Sequence, residues 1–305
     1  MNETGNVFGA VLHDYSRLFN RLNKQWTFIK NEFVFGGHLI SLCGPSLAFV
    51  TMILFNMPVS WEFLFISYLG TYCVYNYDRL QGITIDSSSN DKRSNHIKNH
   101  LKIRYIFLIV YVIIFFAILS LSGNLYSFIF GLFLLITGIL YTNIFKKMTS
   151  KIVGFKNFYT SFSFSFLIFF TAIYSGYLID WKLCVFFTFI FLHFLVDTSF
   201  CDLKDINSDK KMNLKTLPIY LGKEKFLKFL NILNIISFFI IGIAILFNIL
   251  AFIATFLLIF CLYRIYYINK AKKSDNSILF LSNVIVDAEY FLWPIALLLF
   301  ITIFA

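Results

Sequence analysis

The chain has 305 residues, of which 59% are hydrophobic and 20% aromatic, while only 14% are charged. A soluble domain carries roughly a quarter of its residues as charges, so the composition excludes an ordinary soluble enzyme and predicts an all-α membrane protein. The net charge of +10 comes without a basic face, zinc spacing or RNA-reading motif. It therefore speaks for topology and contact with anionic membrane lipids, and against a nucleic-acid partner.

Residues 1–37 read as a cytoplasmic amphipathic segment. Phe8, Val11, Leu12, Tyr15, Leu18, Phe19, Leu22 and Trp26 recur at helical spacing, with Arg17, Arg21 and Lys24 between them. Such a helix lies on the membrane surface or packs against a bundle. The first 30 residues lack the compact apolar core and small-residue site of a cleavable signal peptide. Residues 38–305 then hold nine apolar runs that approach the roughly 20 residues a helix needs to cross a bilayer. They fall at 38–57, 61–79, 104–121, 126–145, 160–179, 183–201, 229–248, 250–268 and 285–304. The connections between the first and second runs, and between the third and fourth, are short and predict tight antiparallel hairpins.

Charge placement tests that count. With the N-terminus inside, the cytoplasmic segments hold every Lys and Arg except Lys182. This is the asymmetry of the positive-inside rule, and an added or missed span destroys it. Ala305 is then expected on the far side. Cys43, Cys73, Cys184, Cys201 and Cys261 lie in or beside spans with no Cys-x-x-Cys pair, so they read as packing residues. The phosphate loop, nucleophile elbow and His-Glu-x-x-His zinc motif are all missing. His193, inside the sixth span, reads as a hydrogen-bonded packing residue.

Two polar sites break this apolar pattern. The first, DLKDINSDKKMNLKTLP, follows the run LCVFFTFIFLHFLV and carries Asp202, Asp205 and Asp209. If the sixth helix continues through them, offsets of 0, 3 and 7 put the three carboxylates on one face. Crowded carboxylates at a membrane edge are expensive. A divalent cation relieves them, and Mg²⁺ usually completes its shell with water and substrate phosphates. A diphosphate substrate follows. The second site is TYCVYNYDRLQGITID, where Asp78 and Arg79 end the second span on the same side. The four-span separation suggests a duplicated four-helix unit with one acidic helix end in each half.

The segment DLKDINSDKKMNLKTLPIYLG resembles the second aspartate-rich motif of the UbiA superfamily of intramembrane prenyltransferases. Span number, topology and the four-helix spacing of the acidic sites extend the resemblance over most of the chain. It implies a nine-helix UbiA-like bundle with an amphipathic N-terminal helix. It also implies a multi-pass integral membrane protein, with the bacterial inner membrane as its expected location and a site open to the cytoplasmic face. The implied reaction is a Mg²⁺-dependent transfer of a prenyl group from a prenyl diphosphate to an aromatic or other lipid-precursor acceptor. By position Asp202, Asp205 and Asp209 take the metal role of the second motif.

The first motif departs from the family. Val74, Tyr75 and Gly82 stand where Asn, Asp and Asp are expected, so only Asp78 matches as a metal ligand. Asn76, two residues out of place, is a candidate substrate-binding residue with Tyr141, and Asp86 lies beyond Gly82 in a loop. The family's Tyr with a Lys four residues later is here Tyr141 followed by Lys146 five residues on, an offset of about 100° around an α-helix. Arg79, Lys146, Lys156 and Lys215 are candidates for the diphosphate oxygens. Tyr75, Tyr77, Tyr141 and Tyr159 are candidates to shelter an allylic cation. A terpene cyclase on the same scaffold, a transporter and a non-catalytic lipid-binding paralogue remain open alternatives.

Overall fold

The structure, a computed structural model, describes residues 22–83 and 91–304 together with Phe19. Every regular element among the described residues is helical. Helix α1 (Leu22–Phe35) meets α2 (His38–Leu54) at a 48° bend. Gly37 makes that corner with φ 94°, a backbone region that side chains with a Cβ rarely adopt. Then follow α3 (Trp61–Gln81), the short helix α4 (Asp91–Asn99), and α5 (Leu101–Ser122). Next come α6 (Leu125–Met148), α7 (Phe155–Tyr174) and α8 (Trp181–Lys211). The chain closes with α9 (Leu217–Leu221), α10 (Lys223–Leu246), α11 (Phe252–Lys273) and α12 (Asp275–Phe304).

Local chemistry fixes the helix ends. The Ser60 hydroxyl accepts from the Phe63 N–H at the start of α3, and Asp180 accepts from the Leu183 N–H at the start of α8. Asn124 and Ser127 exchange hydrogen bonds in a capping box that begins α6. Each cap satisfies N–H groups that an apolar surrounding leaves without water. The expected tight hairpins are present: α2 packs on α3, and α5 turns into α6 through Gly123 and Asn124.

Each of the nine apolar runs falls on a helix, but they are not alike. Six helices among the described residues are long and apolar enough to cross a membrane, and α1 with α2 makes a seventh if that bent pair is one span. The runs at 61–79 and 160–179 fall on α3 and α7, which do not meet that measure alone. Their polarity points inward: Thr71, Asn76 and Arg79 are buried on α3, and Asn157, Ser161 and Ser165 on α7. By contrast α5 exposes Ile103, Ile106, Ile109 and Ile113, as a lipid-facing surface requires. The boundaries shift too. Helix α7 starts at Phe155 and stops at Tyr174, before Gly176 at φ 68°, so the run 160–179 is displaced toward the N-terminus.

The packing forms a ring. Helix α3 packs against α2, α5 and α6, and α8 packs against α7 and α10. Helices α7 and α2 touch across the middle, and α12 closes on α2. Of the expected amphipathic N-terminal helix, Phe8 through Leu18 and Arg21 lie outside the described residues, as does Asp86. Within α1, Leu22, Trp26, Phe28, Ile29 and Phe33 are exposed.

Candidate functional site

Helices α3, α6 and α8 all bring their C-terminal ends to one place. The C-terminal end of a helix carries partial negative charge, so it favours cations. Here α3 and α8 place carboxylates there instead, which makes compensating positive charge necessary. A cavity of about 250 Å³ opens at this point, lined by Asp78 and Arg79 from α3, Tyr141 and Lys146 from α6, Lys156 from α7, and Asp202 and Asp205 from α8. These seven expected residues, with Tyr75 and Tyr159, therefore meet in one space.

Lysines neutralise the carboxylates. The Lys146 Nζ donates to both oxygens of Asp78 at 3.0 and 3.3 Å, and the Thr142 hydroxyl donates to Asp78 Oδ1 at 3.1 Å. On the other wall, Lys156 Nζ lies 2.9 Å from Asp202 Oδ1 and 2.9 Å from Asp209 Oδ2. Arg79 is turned partly to the backbone: it donates to the Phe35 carbonyl at 2.6 Å and to the Tyr75 hydroxyl at 3.0 Å.

Helix α8 runs unbroken to Lys211, so the condition for a one-face triplet holds. Even so, the three carboxylates do not converge. Asp202 and Asp205 line the cavity, whereas Asp209 is absent from its wall and is held by Lys156. Asp202 Oδ2 and Asp205 Oδ1 are buried without a hydrogen-bond donor. Unpaired buried carboxylate oxygens are costly, and hard oxygen donors of this kind suit a Mg²⁺ ion.

The five-residue spacing of Tyr141 and Lys146 has a local explanation. Tyr141–Phe145 is a π-helical turn, which accommodates one extra residue within the helix. The insertion absorbs the 100° offset, so both side chains reach the cavity without demanding reach from the lysine.

Two candidates lie elsewhere. Lys215 is exposed on the connection after α8; its backbone N–H donates to Thr149 O and its carbonyl accepts from Gly154 N–H. Asn76 is buried and donates to the Tyr72 carbonyl at 3.1 Å, on the side of α3 that faces Gly37. Of the tyrosines, Tyr75, Tyr141 and Tyr159 line the cavity and Tyr77 does not.

The cavity also holds groups that the motif reading passed over: Arg93, Asp197, Lys204, Asp287 and Tyr290. Lys204 Nζ donates to Asn283 Oδ1 at 2.9 Å. The available signal was charge inside apolar runs, since Asp197 interrupts a run otherwise free of Lys, Arg, Asp and Glu from 183 to 201, and Asp287 stands with Glu289 near the start of the last one. His193 is hydrogen-bonded as expected, to Glu289 Oε1 at 2.6 Å.

A second, apolar pocket of about 80 Å³ adjoins the polar one. The two share Val74, Gly138, Ser163 and Phe164, and the apolar pocket extends past Gly70 and Gly131 to Phe115 and Phe170. A polar chamber thus continues into a hydrocarbon-lined recess between α3, α5, α6 and α7.

Bundle, chamber and recess define a polytopic helical membrane protein with a polar cavity that continues into an apolar recess. The sequence matches the model of the UbiA prenyltransferase family over residues 99–295, and the chain belongs to that family. The match begins after the helix that carries Asp78, in keeping with the departures at Val74, Tyr75 and Gly82. No curated protein matches the sequence. Solved structures do. The apo structure of a UbiA homologue from Aeropyrum pernix K1 is similar with a TM-score of 0.66 at 13% identity, covering 86% of this chain and 97% of that one. A UbiA homologue from Archaeoglobus fulgidus bound to GPP and Mg²⁺ gives 0.62 at 16% identity, covering 88% and 99%. A digeranylgeranylglyceryl phosphate synthase gives 0.53 at 18% identity, covering 90% and 98%. At these identities the likeness is one of fold.

Proposed function

We propose that this protein transfers a prenyl group from a prenyl diphosphate, with Mg²⁺, to an aromatic or other lipid-precursor acceptor. The observation that carries the reading is the meeting of Asp78 from one half of the chain with Asp202 and Asp205 from the other, at the mouth of an apolar recess. Head and tail of a prenyl diphosphate match the two compartments. The GPP and Mg²⁺ bound by the A. fulgidus homologue support the same reading.

In this proposal Asp202 and Asp205 hold Mg²⁺ through their unpartnered oxygens, and Asp78 serves on the opposite wall. Asp209 acts through Lys156. Bound Mg²⁺ supplies Lewis-acid neutralisation of the charge that builds on the leaving diphosphate. The Lys146 and Lys156 ammonium groups donate to diphosphate oxygens, and Arg79 and Lys204 add positive potential to the same chamber. The apolar recess takes the prenyl chain and keeps water from it. We further propose nine spans, an N-terminus in the cytoplasm and a chamber on the cytoplasmic side, supported by the partition of Lys and Arg.

The experiment is incubation of the purified protein with labelled prenyl diphosphates, Mg²⁺ and an extract of acceptor lipids, followed by chromatography of the lipid products. A labelled lipid that requires Mg²⁺ is expected. A donor that is neither consumed nor transferred at any chain length overturns the proposal.

A further inference from the structure

Behind the chamber lies a buried ionic network that the proposed reaction does not yet use. Asp197, five residues before Asp202 on α8, has both oxygens saturated. Its Oδ1 accepts from Arg264 Nε at 2.8 Å and from the Tyr267 hydroxyl at 2.7 Å. Its Oδ2 accepts from Arg264 Nη2 at 2.9 Å and from the Tyr290 hydroxyl at 2.5 Å. The remaining Arg264 nitrogen contacts His193 Nδ1. An arginine can only donate, so His193 accepts there and gives its Nε2 proton to Glu289. His193, Asp197 and Glu289 place ligand atoms within 4.8 Å of one another, but the guanidinium already fills that space with fixed positive charge. The cluster is therefore a rigid support.

What it supports is visible at the chamber wall. Of its members only Asp197 and Tyr290 line the cavity, and Asp197 has no free lone pair to offer. Tyr290 stacks on Phe194 with centroids 4.9 Å apart and planes at 13°. Phe194 stacks on Phe164 at 5.1 Å and 18°. All three line the polar chamber, and Phe164 also lines the apolar recess. An aromatic row thus joins the two compartments. On the reading proposed above, this is where C1 of the donor must lie, with diphosphate on one side and hydrocarbon on the other.

We infer that Tyr290, with Phe194 and Phe164, receives the positive charge of the departing allylic group, and that Asp197 and Arg264 position Tyr290 for it. The C1–O bond breaks heterolytically and its electron pair leaves on the diphosphate oxygen. The carbon skeleton carries one positive charge until the acceptor's electrons form the new bond and the acceptor releases a proton. Tyr290 forms no bond and gives up no proton. On this inference the ring face that is not stacked on Phe194 is the one turned to the cation, since the face of an aromatic ring is its negative part. Donating its O–H to a carboxylate enriches that ring, because a charge-assisted hydrogen bond shifts electron density from the hydroxyl into the phenol. Tyr75 and Tyr141 are less suited. The Tyr75 ring is covered by the Arg79 guanidinium at 4.1 Å, and Tyr141 stands beside the Lys146 ammonium in the same wall.

Ionisation can be read without knowing the acceptor. Geranyl diphosphate carrying ¹⁸O at the bridging oxygen is incubated with the full-length protein and Mg²⁺, and scrambling of the label into non-bridging positions reports C1–O cleavage and return. Binding of the non-ionisable geranyl thiolodiphosphate is measured alongside. Tyr290→Phe and Tyr267→Phe form a matched pair, since each deletes one hydroxyl from Asp197 but only Tyr290 lines the chamber. Tyr290→Phe is expected to slow scrambling roughly fivefold with unchanged analogue affinity, and Phe194→Leu roughly tenfold. Arg264→Lys, which keeps the charge but loses the fork, should slow it in the same direction. Tyr267→Phe, which removes one donor from Asp197 without altering the chamber wall, should slow it clearly less than Tyr290→Phe does. Equal slowing in the two tyrosine variants, or loss only of analogue affinity, overturns the inference and leaves the transferase reading standing. A wild-type protein that neither scrambles nor consumes the donor removes both.

Discussion

Lys156 and Asp202 form an ion pair of 2.9 Å, and the same ammonium reaches Asp209. Lys156 opens α7 where α8 ends, so it supplies the positive charge that a carboxylate-bearing helix C-terminus lacks. The two aspartates are then unequal: Asp202 borders the chamber and Asp209 reaches it only through the lysine. Asp202→Asn and Asp205→Asn are each expected to lower turnover by roughly a hundredfold or more while the protein stays folded. Asp209→Asn should cost less and should raise the donor KM through a misplaced Lys156. Turnover and Mg²⁺ titration of the three variants check this; three equal losses would contradict the division of roles.

Asp78 is the one carboxylate of its helix end that fits the expected motif. Asp78→Asn keeps size and hydrogen bonding and removes the charge, leaving Lys146 without its counter-ion. The expected result is a higher Mg²⁺ requirement and a loss of about 3 kcal/mol of transition-state stabilisation. Unchanged Mg²⁺ dependence and rate would make Asp78 a structural partner of Lys146 alone.

Much of this was legible in the chain because membrane physics constrains it. Apolar runs and basic loops follow from the bilayer, and Asp202, Asp205 and Asp78 stand out as carboxylates at the ends of those runs. What stayed hidden depends on tertiary geometry. Nothing local distinguishes Asp209 from Asp202, since both sit on one stripe of α8, and only the position of Lys156 separates them. Lys215 looks like its neighbours in sequence yet projects from a loop. The partners of Asp197 come from α11 and α12, far away in the chain. The polar character of α3 and α7 is likewise explained only once the cavity between them is seen.

Orientation is open to a direct measurement. Reporter fusions in the 202–228 segment and at Ala305 are expected to read on opposite sides of the membrane, with the former cytoplasmic. Same-side readings would remove the common cytoplasmic placement of Asp78 and Asp202.

The π-helical turn makes a prediction about length. If Tyr141–Phe145 holds one inserted residue, removing a residue inside it should restore an ordinary α-helix and keep Tyr141 and Lys146 on one face. Ile144 is 53% exposed, so its deletion sacrifices little packing. Deletion of Ile144 should leave activity within about threefold of wild type. Inserting an alanine at the same place should swing Lys146 by about 100° and abolish turnover. The assay is turnover beside thermal stability in detergent. Loss of activity in the deletion variant with intact folding would show that the turn itself, and not the register it sets, is needed.

The apolar recess predicts chain-length behaviour. Gly138 sits where the chamber passes into the recess, and a Cβ added there would stand 2.5 Å from a Val74 methyl, far inside contact distance. Helix α3 cannot withdraw easily because it is packed on α2, α5 and α6. Gly138→Ala is therefore expected to narrow the passage, raising KM for prenyl diphosphates long enough to enter the recess by roughly tenfold. The shortest donor, dimethylallyl diphosphate, should be affected least, because its head and first carbons stay in the polar chamber. Val74→Ala removes both methyl groups that the new Cβ meets. In the Gly138→Ala background it should restore the longer donors, giving a coupling that neither single change shows. KM for donors of increasing length across the four proteins of this cycle is the measurement. An equal rise for every length would mean that Gly138 serves helix packing and that the chain lies elsewhere.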